Sequence, residues 1–279
     1  MVIGHHVLPT LEPLTTGERG HASPMTADRP ARRSPTVTGA LEDPLSTDSW
    51  PFLERLRRVI RAEQAGEDLR RYFGIGGPSA TASFTGRRFE HLAGGGDRPA
   101  FADAVTADDL IAMQTLSVTV PATTALELLE GELGGQLSEL LRQVPNGRDM
   151  VEVDASDLAP GSAADAAWHL LRSRRGIGWV TAGKLLARKR PRLIPVYDQV
   201  VKCVVGSPRS FWLDLHAAVL ADGCALHEEL VALRRSAEVP ETVSVLRVCD
   251  VALWMRHHGQ HRKTDCGGLE RAAGASRGQ

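Results

Sequence analysis

The sequence has only four cysteines, and Cys203, Cys224, Cys249 and Cys266 stand far apart. No CxxC pair and no Cys/His run has zinc or iron–sulfur spacing, so the reading assigns no metal and no cofactor. Three of the four fall in apolar helical patterns and read as small buried hydrophobes. With no disulfide framework, the expected compartment is a reducing cytoplasm. Long apolar runs are also lacking. None approaches the roughly 18 residues that a membrane helix needs, which excludes a helical span. The first residues, MVIGHHVLPTLEPL, lack a basic start followed by an unbroken apolar run and do not read as a signal peptide. Charge of one sign is not in excess: the net charge is −1. Any affinity for nucleic acid must therefore come from a local patch.

What is present is ordinary globular composition. The chain has 279 residues, 42% of them hydrophobic and 24% charged, enough for one large or two small domains. Residues 1–46 are rich in Pro, Thr, Ser, Gly and Arg and read as a disordered tail, as do residues 259–279. The HHGQHRK stretch at the start of the second tail reads as solvated, with contact to nucleic acid or metal as the alternative. Residues 47–105 begin with SWPFLERLRRVIRAEQ, whose apolar residues recur at helical spacing. A Gly-rich, less regular stretch follows, with a short strand or hairpin expected around Thr81–Phe84. GIGGP lacks the Gly-Lys-Ser/Thr ending of a phosphate loop and reads as a turn. Arg87 and Arg88 in TGRRFE read as pocket residues or as salt-bridged surface.

From Thr106 onward the chain reads as consecutive helices. Thr106 and Asp109 make a capping-box-like start. A break is expected at Gly134–Gly135. Pro208 and Pro240 are placed in the first turns of their helices. The fold class is all-α. One lobe covers roughly residues 106–206, and a second combines the helix near 50–66 with residues 207–258.

The segment RGIGWVTAGKLLARKRPRLIPVYDQVVKCVVG, residues 175–206, carries the chemistry. Gly176 and Gly178 flank one apolar residue between two helices. Such a turn allows close approach, and the N–H groups that open the next helix attract an anion. Residues 172–202 hold nine basic side chains: Arg172, Arg174, Arg175, Lys184, Arg188, Lys189, Arg190, Arg192 and Lys202. The one acid among them is Asp198, at the start of the next helix. The patch reads as a phosphate-binding face or as a solvated face against acidic neighbours. Asp198 reads as a helix N-cap and, compatibly, as a fixed carboxylate facing the sugar of a bound nucleotide.

These residues resemble the helix-hairpin-helix signature of the DNA glycosylase superfamily. Family members carry Leu-Pro-Gly-Val-Gly-x-x-Thr-Ala, an apolar helix, and Pro-x-x-Asp opening the next helix. Gly176, Ile177, Gly178, Thr181, Ala182, Pro195 and Asp198 fall on that pattern, with twenty-two residues from first glycine to aspartate. The resemblance implies a two-lobed helical fold with a pocket between the lobes and double-stranded DNA or another nucleic acid as partner. It implies Asp198 as catalytic carboxylate, and Gly176, Gly178, Trp179, Thr181, Lys184, Arg188 and Arg190 as phosphate-binding residues. Val180 occupies the family's Schiff-base lysine slot, so hydrolysis without a lyase step is expected. The iron–sulfur loop of some members is absent. The span from YFGIGG to WMRHHG is also similar to an uncharacterised family from high-GC Gram-positive bacteria, from which no function carries over.

Further pocket candidates are His169 and Asp250, the latter with Arg247 as partner. Trp168, Trp179, Phe211, Trp212 and Trp254 read as core, with Trp179 the best platform for a flipped base. Three functions remain open: a monofunctional glycosylase, a non-catalytic DNA-binding protein, and a nucleotide enzyme with TGRRFE lining its pocket.

Overall fold

A computed structural model describes residues 50–77, 84–263 and 266, apart from the side chains of Trp50 and Pro51. The described residues are all-helical and contain no strand. The tail assigned to residues 1–46 lies outside them, as does the strand or hairpin expected around Thr81–Phe84 except for Phe84, which is described and is not in a strand. Most of the second tail lies outside them too. Residues 259–263 are described: a turn continues the preceding helix through Gln260, whose N–H donates to the His257 carbonyl at 2.9 Å, and 261–263 are irregular.

Helix α1 spans Trp50–Ile60 and α2 spans Ala65–Phe73. The second absorbs DLRRYF, which had read as irregular, because Leu69 and Tyr72 bury three residues apart on one face. Gly74 ends α2 at φ 73°, and Gly76 follows at φ 74°, so the described residues 74–77 of GIGGP form a plain turn. Helices α3 (Ala107–Thr115), α4 (Ala122–Leu129) and α5 (Glu132–Leu141) follow. Thr106 and Asp109 do form a capping box at the head of α3. The α4–α5 break falls at Glu130–Gly131 rather than at Gly134–Gly135. Gly134 lies inside α5, where a Cβ would collide with the Leu128 carbonyl, so it serves close packing of the two helices.

Next come α6 (Ala163–Arg172), α7 (Trp179–Lys189), α8 (Gln199–Val205), α9 (Phe211–Ser236) and α10 (Val245–His257). The α9 helix is two helical segments joined at a kink, where Asp222, Gly223 and Cys224 take positive φ. Pro208 and Pro240 precede their helices instead of sitting in the first turns. Ser210 and Ser244 cap those helices, each accepting a backbone N–H.

The central element is α10. Eleven of its thirteen residues are buried, so it is covered on nearly every side. It packs against α1, α2, α8 and α9, while α3 through α7 form a second packed group. The α8 helix therefore sides with α10 and α1, not with the hairpin that precedes it. One apolar core runs through both groups.

A buried polar network holds the irregular segment between residues 85 and 105 in place. Arg188, Lys189 and Arg190 at the end of α7 are all 2% exposed or less. Arg188 donates to Asp109 Oδ1 at 2.9 Å and to the carbonyls of Phe89, Glu90 and Leu92. Lys189 donates to Asp109 Oδ2 at 2.9 Å and to the carbonyls of Phe101 and Ala104. Arg190 donates to Asp103 at 2.6 Å and to the carbonyls of Ala102, Leu141 and Val144. The inward-facing carbonyls of such an irregular segment need donors, and these three cations supply them for Phe89, Glu90, Leu92, Phe101, Ala102 and Ala104.

A candidate active site at the junction of the two helix groups

A pocket of about 740 Å³ opens where the two groups meet. That volume lies within the range of small-molecule sites. Its wall draws on α2, the turn at Thr85–Gly86, the end of α3, α7, α8 and α10. Asp198 lies on this wall and also caps α8. Its Oδ1 accepts from Val200 N–H at 3.0 Å and Val201 N–H at 3.1 Å. Its Oδ2 faces the Lys184 ammonium at 3.3 Å. The two carboxylate oxygens thus have separate tasks, and the cap fixes the direction of the second. Lys184 also donates to the Leu116 carbonyl at 3.1 Å. Burial lowers the Lys184 pKa, with the Asp198 charge pulling the other way.

A second charged pair lines the pocket from α10. Arg247 donates to Asp250 Oδ1 at 2.6 Å, to the Gly86 carbonyl at 3.1 Å and to the Tyr72 hydroxyl. Burial pushes the Asp250 carboxyl up to about 8 against the pull of Arg247, and the charges of Glu90 and Asp198 push the same way. Glu90 ties the head of α10 to this cluster by accepting from the Ser244 hydroxyl at 2.6 Å and its N–H at 3.0 Å. Part of the remaining wall is aromatic, beside valines of α7, α8 and α10. Tyr72 stacks on Phe84 with ring centres 5.2 Å apart, and Trp254 meets Phe84 edge-on at 5.7 Å. A flat apolar ligand is well accommodated by such a wall.

A glycine turn joins α6 to α7. Gly176 takes φ 82°, Ile177 is buried between exposed Gly176 and Gly178, and Gly178 opens α7 without a side-chain cap. Val180, in the first turn of α7, reaches the pocket wall. Trp179 and Thr181 are half-buried and lie off that wall. Trp179 packs on Tyr197 at 5.3 Å, and the Lys202 ammonium sits 5.8 Å above its ring.

Several expected site residues are elsewhere. Arg188 and Arg190 are buried structural cations with their donors consumed inside the fold, so they do not face a phosphate backbone. Lys184 is buried too, and belongs to the pocket rather than to an outer basic face. Arg87 and Arg88 do not line the pocket; from the same TGRRFE motif, Thr85 and Gly86 do. A Cβ at Gly86 would collide with the Tyr72 hydroxyl, so glycine permits that close approach. His169 is exposed on α6 beside Asp165, 3.6 Å away, and also lies off the pocket wall. Asp250 lies in the pocket with Arg247, as their i,i+3 spacing suggests. Trp254, not Trp179, supplies the aromatic pocket wall.

Metal contact stood in the sequence only as an alternative for HHGQHRK, and the two cysteines that join its histidines were missed. Cys203, His257, His261 and Cys266 come together, although no metal-ligand spacing had been recognised. Cys203 and Cys224 are also only half-buried, so of the three helical cysteines Cys249 alone fits the buried-hydrophobe reading.

Fold and site together define an all-α protein with a charged, partly aromatic pocket near the Gly176–Gly178 turn between α6 and α7. Residues 65–257 match the model of a family of unknown function, DUF6308, and the chain belongs to that family. No curated protein and no solved structure matches the chain.

Proposed function

We propose that this protein is a nucleic-acid N-glycosidase that hydrolyses the bond between a base and its sugar without a lyase step. The single observation that carries this reading is Asp198, a carboxylate held by two backbone amides on the wall of an aromatic-lined pocket. Cleavage of a glycosidic bond passes through an oxocarbenium-like state with positive charge on the sugar. A fixed carboxylate stabilises that charge more than it stabilises the neutral ground state, which is the condition for catalysis. Water then adds its oxygen to the anomeric carbon, the base leaves with the bonding electrons, and a water proton ends on the base or on Asp198. Lys184 acts as a positioning residue that holds Oδ2 in place. Tyr72, Phe84 and Trp254 accept a base taken out of its stack, an extrusion that costs a few kcal/mol. The uncapped α7 terminus and exposed Gly176 and Gly178 suit a backbone phosphate.

A non-catalytic DNA-binding role rests on the hairpin alone. Burial of Lys184, Arg188, Lys189 and Arg190 removes four of the nine basic side chains from any outer face, and such a role leaves the pocket unexplained. The test is base release from duplex and single-stranded oligonucleotides carrying damaged or mismatched bases. Asn preserves the cap at Val200 and Val201 while removing the charge, and circular dichroism checks that the variant, with Lys184 deprived of its partner, stays folded. The expected loss is roughly 10²–10³-fold. Equal rates for variant and wild type would remove Asp198 from the chemistry. Salt-sensitive binding with no base release would favour the binding role, and a co-purifying nucleotide would favour a small-molecule enzyme.

A further inference from the structure

The geometry points to a structural zinc site built by Cys203, His257, His261 and Cys266. One ligand atom from each lies within 4.8 Å of all the others. Two thiolates at about 2.3 Å from a tetrahedral zinc sit about 3.8 Å apart, so the four atoms need only small movements to close on an ion. The contact already formed is close: His257 Nε2 lies 3.0 Å from Cys266 Sγ. Two thiols and two imidazoles are the donor set of closed zinc sites, and His257 and His261 have the H-x₃-H spacing common among them.

The orphaned nitrogens are an independent observation. His257 is 2% exposed, and its buried Nδ1 has no hydrogen-bond partner; neither has the buried Nδ1 of His261. Zinc takes one nitrogen of each ring: His257 turns its Nε2 to the site and keeps Nδ1 unpaired, whereas the buried Nδ1 of His261 would gain the partner that buried ring nitrogens normally have. With two thiolates the dication is neutral overall, which suits a partly buried position, and binding releases the two thiol protons.

The four ligands occupy all four tetrahedral positions, leaving none open for water or substrate. The ion therefore fastens structure and takes no part in chemistry. Cys203 lies on α8, the helix that Asp198 caps, whereas His257 ends α10 and His261 contributes to the pocket wall. Zinc would clamp α8 to the end of α10 and hold the following segment against the pocket.

The test is metal analysis of protein purified without affinity-tag histidines or chelator, with cobalt substitution as a second measurement. About one zinc per chain is expected, retained through gel filtration and lost in a Cys203→Ser/Cys266→Ser variant. Cobalt-loaded wild type should show the intense ligand-field bands of a tetrahedral ion and thiolate charge-transfer absorption. Wild-type protein that holds no zinc and takes up neither zinc nor cobalt overturns the proposal. A Cys203–Cys266 disulfide, seen as a mass two hydrogens lower under non-reducing conditions, overturns it too. The cobalt titration uses wild-type protein, so misfolding of the variant does not rescue the proposal.

Discussion

Replacing Arg188 by alanine should destabilise the whole fold rather than act as the loss of a phosphate contact. The guanidinium is 1% exposed and makes four hydrogen bonds within the fold. Its loss leaves Asp109 with Lys189 alone and deprives the carbonyls of Phe89, Glu90 and Leu92 of a donor. Breaking a buried ion pair by removing one partner costs about 3–5 kcal/mol. Each carbonyl left without a partner adds about 1 kcal/mol or more, less whatever water recovers. A total of about 5 kcal/mol is a large share of the 5–15 kcal/mol that domains typically possess. For a domain of this size it lowers the midpoint by roughly 10–20 °C. Thermal and urea unfolding followed by circular dichroism measure it, with exposed Arg175→Ala as a control expected within about 0.5 kcal/mol of wild type. The reasoning fails if Arg188→Ala unfolds like wild type while its DNA affinity loses about one unit of salt slope, since that is the signature of a phosphate contact.

Other consequences follow from the same geometry. Burial raises the Asp250 pKa to about 8, far above the ordinary aspartate value of 3.8. Between these limits the folded state binds the proton and the unfolded state does not, so this group's contribution to stability falls as pH rises from about 4 to 8. Asp250→Asn should remove that slope, which is at most about 1.4 kcal/mol per pH unit; parallel pH profiles for wild type and variant would contradict it. Gly176→Ala places a Cβ at φ 82° and 2.7 Å from Pro121 Cγ. It should cost roughly 1–3 kcal/mol by denaturant titration, and a change below about 0.5 kcal/mol would show that the turn relaxes. Borohydride should not trap the protein on abasic-site DNA, because Val180 cannot form an imine and the Lys184 ammonium is engaged by Leu116 and Asp198. A cross-link that Lys184→Gln abolishes would reverse that assignment.

Local signals survived folding well. The Thr106–Asp109 capping box, the Gly176–Gly178 turn, Asp198 at the head of α8 and the Arg247–Asp250 pair all depend on neighbours within a few residues. The basic run LARKRPR misled because sequence shows charge but not what faces it. Arg188, Lys189 and Arg190 meet Asp109, Asp103 and loop carbonyls roughly fifty to a hundred residues away in the chain. In the same way Cys203 lies far in sequence from His257, His261 and Cys266, and only the packing of α8 on α10 unites them. The H-x₃-H spacing at the end of α10 was the one local trace of that cluster. The pocket's aromatic wall was equally hidden, since Tyr72, Phe84 and Trp254 come from three separate segments.

The central claim is that Asp198 stabilises positive charge on a sugar, and it can be tested without knowing the target base. Duplexes carrying a cationic azasugar in place of one deoxyribose mimic the oxocarbenium state, while a neutral tetrahydrofuran abasic site serves as reference. Wild-type protein should bind the cationic duplex at least about ten-fold more tightly, a difference of about 1.4 kcal/mol, and Asp198→Asn should abolish that preference. Equal affinity for the two duplexes, or a preference that persists in Asp198→Asn, would contradict the account.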